Sequence, residues 1–137
     1  MHTQAIISSH PDVGGKVNAA LLKAIDLCFD CAQACTACAD ACLAEEQVAD
    51  LTQCIRLNLD CADLCMAAGT IASRRTGSNE RIVKGAIEIC AEACRLCAEE
   101  CNRHAPMHTH CRLCAEVCRE CQRACREAGA SITTKHH

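Results

Sequence analysis

Residues 28–42 read CFDCAQACTACADAC, a stretch in which cysteines recur at steps of 3, 4, 3 and 4. Residues 111–125, which read CRLCAEVCRECQRAC, repeat the same steps. Positions three and four apart are neighbours on one face of an α-helix, whereas residues on one face of a strand recur at every second position. Each stretch is therefore predicted to form a helix with a stripe of cysteines along one face.

Two further groups of cysteines lie between these stretches. Steps of 7 and 4 separate Cys54, Cys61 and Cys65, and steps of 4, 3 and 4 separate the cysteines of residues 90–101. All of these steps are helical neighbour distances or a whole heptad, so the sequence predicts four striped helices. The four stripes contain Cys28, Cys31, Cys35, Cys38, Cys42, Cys54, Cys61, Cys65, Cys90, Cys94, Cys97, Cys101, Cys111, Cys114, Cys118, Cys121 and Cys125.

Capping and helix-breaking residues mark the ends of the predicted helices. Asp50, with Gln53 three residues later, is typical of a capping box that opens the second helix. The other expected boundaries are Val17 and Glu46 for the first helix, Gly77 for the end of the second, Ser78 or Asn79 followed by Glu80 for the start of the third, and Pro106 and Gly129 for the first turn and the end of the fourth.

The connections between these helices are only a few residues long, which makes neighbouring helices antiparallel. We therefore expect an all-α fold, an antiparallel up-down-up-down four-helix bundle with a cysteine-lined core. Residues 17–130 would form the bundle, with 1–16 as an N-terminal extension and 131–137 as a C-terminal tail. The sequence leaves open whether Ile6 and Ile7 belong to a short extra turn.

The composition of the 137-residue chain excludes several classes of protein. Val, Ile, Leu and Phe number only 25, Phe29 is the one aromatic residue, and the net charge is −3. A nucleic-acid-binding protein would carry a basic patch and stacking aromatics, and a membrane protein would carry a long apolar span. The first residues lack the basic start and apolar stretch of a secretory signal, which favours a cytoplasmic protein whose thiols stay reduced.

The two ends of the predicted bundle differ in chemistry. Beyond the cysteines, the stripes lead at one end to Val17, Leu21, Ala24, Ala68, Ala72, Val83, Ile87, Ala128 and Ile132. We expect these residues to form an apolar plug. The other end collects Glu45 and residues 104–110, which read HAPMHTH and are polar and rich in metal ligands. One end is therefore expected to be closed and the other to admit an ion.

Metal binding explains 17 inward-facing thiols better than three other interpretations. Alanine would pack as well as cysteine, the Cys-x-x-Cys pairs lack the βαβ context of a thiol redox enzyme, and iron–sulfur motifs bunch their cysteines in loops. Soft thiolates favour Cu(I) or Zn(II). About 17 bridged Cu(I) ions would neutralise the thiolates one for one, whereas zinc with four thiolates would leave a residual charge. The sequence favours Cu(I), with a zinc or cadmium buffer as the alternative, and shows no catalytic arrangement inside the stripes.

The cysteine stretches 28–42 and 111–125 resemble those of the bacterial copper storage proteins, and among them the cytosolic branch that lacks an export signal. The resemblance covers the chain from about Val17 to Ala130. It implies a four-helix bundle whose core cysteines bind many Cu(I) ions, histidines at the open end where copper enters, and assembly as a homotetramer. A copper chaperone would be a fitting donor or acceptor for such a protein.

Four residues besides the cysteines are candidate ligands. Asn58 takes a stripe position between two cysteines of the second helix, where it would be either a ligand through its amide oxygen or an ordinary polar core residue. His104 continues the stripe of the third helix, and His108 follows four residues later. Met107 lies four residues before Cys111 and offers a thioether suited to Cu(I).

The other histidines and one methionine are not expected to bind metal. His110 lies off the stripe of the fourth helix, and Met66 lies beside the stripe of the second. The remaining histidines are in the two tails, at His2, His10, His136 and His137.

Apolar residues outside the cysteine stripes predict contacts between chains. They are Leu22, Ile25 and Phe29 on the first helix, and Leu51, Ile55 and Leu59 on the second. A lone bundle would expose these faces, so the sequence predicts a homo-oligomer with helix-face contacts. Apolar residues scattered over a monomer surface are the alternative reading.

Overall fold

The computed structural model describes residues 2–133, so His136 and His137 lie outside it. The elements in chain order are α1 (Thr3–Ser8), α2 (Ala19–Leu43), a 3-10 turn (Val48–Leu51), α3 (Thr52–Ser73), α4 (Glu80–His104) and α5 (Thr109–Ser131). Helix α2 packs against α3 and α5, and α4 packs against the same two helices. The predicted four-helix bundle is confirmed, and the described residues contain no strand.

The start of α2 agrees closely with the sequence, whereas the start of α3 does not. Asn18 caps α2, because its side-chain oxygen accepts a hydrogen bond from the backbone N–H of Leu21 at 3.1 Å. The expected capping box of Asp50 and Gln53 is absent: Leu51 occupies the position before α3, without a side-chain cap. The 3-10 turn instead places Leu51 in the core, and Asp50 stays exposed beside it.

Four other boundary predictions are corrected. Helix α2 ends at Leu43 and not at Glu46, and α5 continues past Gly129 to Ser131. Gly77 has a φ of 71°, but it lies in the connection 74–79, since α3 already ends at Ser73. Pro106 lies in the turn before α5 and not in its first turn. That turn is closed by the backbone N–H groups of Met107 and His108, which both donate to the carbonyl of His104, at 3.1 and 3.0 Å.

The apolar plug is present at the end where α2 and α4 begin. Leu21, Val83 and Ile87 are at most 5% exposed there, and Ala24, Ala68, Ala72 and Ala128 are fully buried beside them. The extra helix α1 belongs to the same region, because its Ile7 is buried in the common core. Thr3 of α1 donates a hydrogen bond to Asp26 of α2. The N-terminal segment therefore packs onto the closed end.

Part of the surface predicted to contact other chains is instead interior to one chain. Ile25 and Leu51 are each 1% exposed. Ile7, Val13 and Ile25 line one small pocket, so the N-terminal segment covers the outer side of α2. Phe29 packs against the backbone of Gly69 so closely that a Cβ at that glycine would lie 2.9 Å from the ring. Ile25, Leu51 and Phe29 thus pack within one chain, whereas Leu59 of α3 is 47% exposed.

No helix among the described residues combines the length and the apolar character needed to cross a bilayer.

Candidate metal centre

The interior of the bundle is an array of 17 free thiols. Every cysteine is at most 2% exposed. The stripes of all four long helices point at one axis, which is the consequence of the 3, 4 spacing on each helix. The shortest sulfur–sulfur distance, between Cys65 and Cys90, is 3.3 Å, and many others between helices lie between 3.6 and 4.0 Å.

The thiols form four-membered groups in which all sulfurs lie within 4.8 Å of one another. From the plug outwards, these groups include Cys28, Cys90, Cys121 and Cys125; Cys31, Cys65, Cys94 and Cys121; Cys31, Cys35, Cys61 and Cys118; Cys35, Cys97, Cys114 and Cys118; and Cys38, Cys42, Cys54 and Cys111. Successive groups among the first four share at least one cysteine. Ions in neighbouring groups would share a ligand, so these four inner groups form one continuous tract.

The spacing of the sulfurs already suits metal–thiolate bonds. The centre of a triangle of sulfurs 4.0 Å apart lies about 2.3 Å from each of them, which is the length of a typical zinc–thiolate bond. Distances of this size join Cys114 to Cys118 and Cys31 to Cys61. An ion can thus enter the array with little rearrangement of the helices.

Asn58 lies at the junction between the inner groups and the outermost one. It is fully buried, and its Oδ1 accepts hydrogen bonds from the thiols of Cys97, Cys101 and Cys114 at 3.0, 3.3 and 3.5 Å. Its Nδ2 is 3.7 Å from the sulfur of Cys54. One amide thus contacts thiols of the inner tract and of the outer group. Asn58 therefore links the inner tract to the outermost group through hydrogen bonds.

Two histidines and a glutamate cover the outer thiols, at the end that we call the mouth. His110 places Nδ1 3.4 Å from the sulfur of Cys38 and 3.6 Å from that of Cys111. Its Nε2–H donates to Glu45 at 3.3 Å. His108 stacks on His110 with ring centroids 5.5 Å apart, and its Nδ1 lies 3.2 Å from the other oxygen of Glu45.

The other two candidate ligands of the mouth have different surroundings. His104, the last residue of α4, donates from Nε2 to the buried carboxylate of Glu100 at 2.9 Å. Glu100 also accepts from Arg103 at 3.3 Å. Met107 is 73% exposed, so its thioether lies in solvent at the rim of the mouth.

The structure places His110 next to the thiols, although its position off the stripe of the fourth helix predicted no contact with them. Counting along one helix places His110 off the stripe of α5, yet its ring reaches Cys38 on α2. A side chain in the first turn of a helix points back towards the N-terminus, over the end of the bundle. Its position immediately before Cys111 was the one signal in the sequence that could have identified it.

Comparison with known proteins agrees with this thiol array. Residues 17–130 match the family model described as copper storage protein. The chain belongs to the copper storage protein family. In the comparison of structures, a Streptomyces lividans copper storage protein loaded with 10 copper equivalents has a TM-score of 0.90 and 48% identity, covering 95% of this chain and 99% of its own.

Two other relatives of this copper storage family member are more distant. The Cu(I)-bound copper storage protein BsCsp3 has a TM-score of 0.68 and 38% identity, covering 76% of this chain and 92% of its own. The uncharacterized cysteine-rich protein YhjQ of Bacillus subtilis (strain 168) is 36% identical over 106 residues, which are 77% of this chain and 93% of that protein.

The electrostatics of the outer thiols are uneven. Burial, reinforced by the neighbouring sulfur of Cys54, raises the pKa of Cys42 to about 11. Burial likewise raises the pKa of Cys111. Hydrogen bonds from the thiols of Cys101 and Cys38 instead lower the pKa of Cys54 to about 3. In this copper storage protein, the thiol of Cys54 therefore loses its proton more readily than the thiols of Cys42 and Cys111.

Proposed function

We propose that this protein stores many Cu(I) ions in the thiol tract, as cargo and without chemical turnover. The observation that carries this proposal is the sharing of cysteines between successive groups among the four inner ones. Separate structural sites would each have their own ligands, whereas shared corners suit a cluster that grows ion by ion. Membership of the copper storage family supports the same function.

The charge of the interior supports Cu(I) over divalent ions. Buried thiolates without compensation are too costly to persist. A monovalent ion bridged by thiolates cancels one thiolate charge for each ion, whereas a divalent ion held by four thiolates leaves an excess negative charge. Zinc or cadmium therefore compensates the charge of the 17 inward-pointing thiolates less well than Cu(I) does, and is the less favoured metal.

The ligands in this proposal are the 17 cysteines together with groups at the junction and the mouth. Asn58 contributes its amide oxygen, since that atom already lies within 3.5 Å of three sulfurs. His104, His108 and Met107 were expected from the sequence, and the contacts of His110 add it to them. We infer that ions pass the histidines before reaching Cys38, Cys42 and Cys111, with Met107 available at the rim for first contact.

A competitive titration tests the storage function. Reduced protein is titrated anaerobically with Cu(I) in the presence of a chromophoric chelator. If each thiolate bridges two ions, saturation is expected at roughly 15–20 equivalents. Saturation at one or two equivalents would mean a single site and would reject storage. The same titration with Zn(II) is expected to stop at far fewer ions, and equal capacity for zinc would favour a general metal buffer.

We also propose cytosolic storage in a homo-oligomer, a tetramer by family resemblance. The solved Streptomyces lividans relative is a cytosolic copper storage protein. The outer face of α4 supports assembly, because Ile82, Ile89 and Leu96 recur at heptad spacing and are 62, 50 and 38% exposed. Contact with the same face of a second chain would bury these three apolar side chains. Light scattering should then give an oligomer mass for the natural protein and the monomer mass for the I82E/I89E variant. An unchanged mass in the variant would assign the oligomer contact to another face.

The partners in this proposal are copper ions and a copper chaperone that donates or accepts them. A catalytic role would require turnover of a substrate, and the proposed cargo function predicts none.

A further inference from the structure

The carboxylate of Glu45 is shared by two histidine rings of the mouth. Glu45 lies in the connection 44–47, just after α2, and is partly exposed. Its Oε1 accepts a hydrogen bond from His110 Nε2 at 3.3 Å, and its Oε2 lies 3.2 Å from His108 Nδ1. The two rings are nearly parallel, with 23° between their planes. A single side chain thus contacts both rings.

This contact determines which ring nitrogens are free to bind an ion. A carboxylate only accepts hydrogen bonds, so the nitrogens that face Glu45 carry the hydrogens. A neutral imidazole has one N–H, so the lone pair of His110 is on Nδ1, the atom that faces Cys38 and Cys111. His108 Nδ1 lies within ion-pair distance of Oε2, and a hydrogen on that nitrogen directed at the carboxylate leaves the lone pair of His108 on Nε2. Both lone pairs are therefore directed away from Glu45.

We propose that Glu45 is a positioning residue for copper uptake, which fixes the tautomer and the orientation of His108 and His110 without binding the ion itself. This inference rests on the proposed storage function. Carboxylates that hold the second nitrogen of a metal-binding histidine are a general feature of metal sites, and their loss costs about 10- to 100-fold in metal affinity or activity. Glu45 differs from such carboxylates because its single side chain contacts two histidine rings.

Glu45→Gln tests the proposal, with Glu46→Gln as the matched control on the next, exposed residue. The E45Q variant should take up Cu(I) about tenfold more slowly at unchanged capacity. The E46Q variant should load like the natural protein. Equal loading rates for E45Q and the natural protein would overturn the proposal.

A double-mutant cycle separates positioning from direct attraction of the ion. If Glu45 acts through the rings, E45Q should have no further effect in the H108A/H110A background. A tenfold decrease that persists in that background would mean that the carboxylate itself attracts or binds copper, and would overturn the proposal. Thermal unfolding of the metal-free variants should be unchanged, and a large loss of stability in E45Q would show a structural role instead.

Histidine ¹⁵N NMR gives a readout that does not depend on copper. In the natural protein, His110 should carry its hydrogen on Nε2 and His108 on Nδ1. The side-chain amide introduced by E45Q offers one acceptor oxygen and one donor group, so at least one ring should change tautomer or exchange between the two. Unchanged tautomers in E45Q would overturn the proposal. Failure of multi-ion binding in the natural protein would reject storage and leave this tautomer result standing.

Discussion

The plug and the mouth close the same four helices with opposite chemistry. At the plug, Leu21, Val83 and Ile87 pack against fully buried alanines and offer no ligand. At the mouth, imidazoles and carboxylates lie over thiols that are almost as inaccessible, since Cys38 and Cys42 are at most 2% exposed. Access therefore does not depend on an open hole at either end. It depends on whether the covering side chains can bind the ion that must pass them.

The energetic reason is desolvation. A monovalent ion that loses its water among aliphatic side chains gains nothing in return, and the cost of burying such a charge is high. In the proposed pathway, nitrogen lone pairs at the mouth replace the lost water before the cysteine sulfurs bind the ion. The two ends should consequently respond differently to mutation: stability depends mainly on the plug, and the rate of loading depends mainly on the mouth.

The largest expected effect is a loss of stability when a buried side chain of the plug is truncated. Ile87→Ala should lower the free energy of unfolding of the reduced, metal-free protein by about 2–5 kcal/mol, because a fully buried side chain leaves a cavity. Leu113→Ala on α5 is the matched control, where the side chain is 49% exposed and the change should stay within about 0.5 kcal/mol. Urea unfolding followed by circular dichroism measures both.

The same variant tests the direction of copper traffic. The loading rate of Ile87→Ala, measured by stopped flow, should equal that of the natural protein, because the cavity contains no ligand. Faster loading of Ile87→Ala than of the natural protein would mean that copper enters at the plug and not at the mouth, and would contradict our proposal.

The next effect is on loading at the mouth. Replacing His104, His108 and His110 together with alanine should slow both uptake and release by about tenfold or more, since partners of such ligands alone are worth about 10- to 100-fold. Most of the capacity should remain, because the 17 cysteines are unchanged. His10→Ala serves as the control, since that histidine lies far from the mouth and contacts Thr76. Unchanged stopped-flow rates in the triple variant would remove the histidines from the uptake pathway.

A smaller and more uniform effect is proton release. Burial raises the pKa of Cys42 to about 11 and also raises that of Cys111, so these thiols hold their protons at pH 7. Each Cu(I) that binds must displace such protons, and we expect about one proton per ion over the whole titration. Because protons compete for the same sulfurs, the apparent copper affinity should fall as the pH falls. Calorimetry in two buffers of different ionisation enthalpy counts the protons, and a count near zero would show that the empty array already consists of thiolates.

The sequence predicted the bundle, its striped core and its two ends because all three follow from spacing along single helices. Steps of 3 and 4 define one face of a helix whatever the rest of the chain does. The positions of Leu21 and Ile87 in the plug then follow from extending those faces. The family resemblance was confirmed by the match over residues 17–130.

The features that the sequence missed depend on contacts between elements. His110 reaches a cysteine of another helix, so counting along α5 could not place it. Ile25 and Leu51 were predicted to be exposed because the covering role of the N-terminal segment and the 3-10 turn could not be seen in helical spacing. The capping box at Asp50 failed for the same reason, since burying Leu51 determined where the turn ended and α3 began.

The smallest expected effect is the change in helical content when copper binds. Classical zinc fingers are unfolded without their metal because they have little else to bury. Here the plug, the alanine-rich helix contacts and protonated thiols that pack as small hydrophobic groups are all present without metal. The sulfurs also already stand at metal-binding distances, so loading requires no new helix. The far-ultraviolet circular dichroism of the reduced, metal-free protein should therefore be strongly helical and hardly change up to saturation with Cu(I). A random-coil spectrum that becomes helical only as copper is added would mean that the mouth and the plug do not exist until the ions arrive, and the difference between the two ends could then not direct their entry.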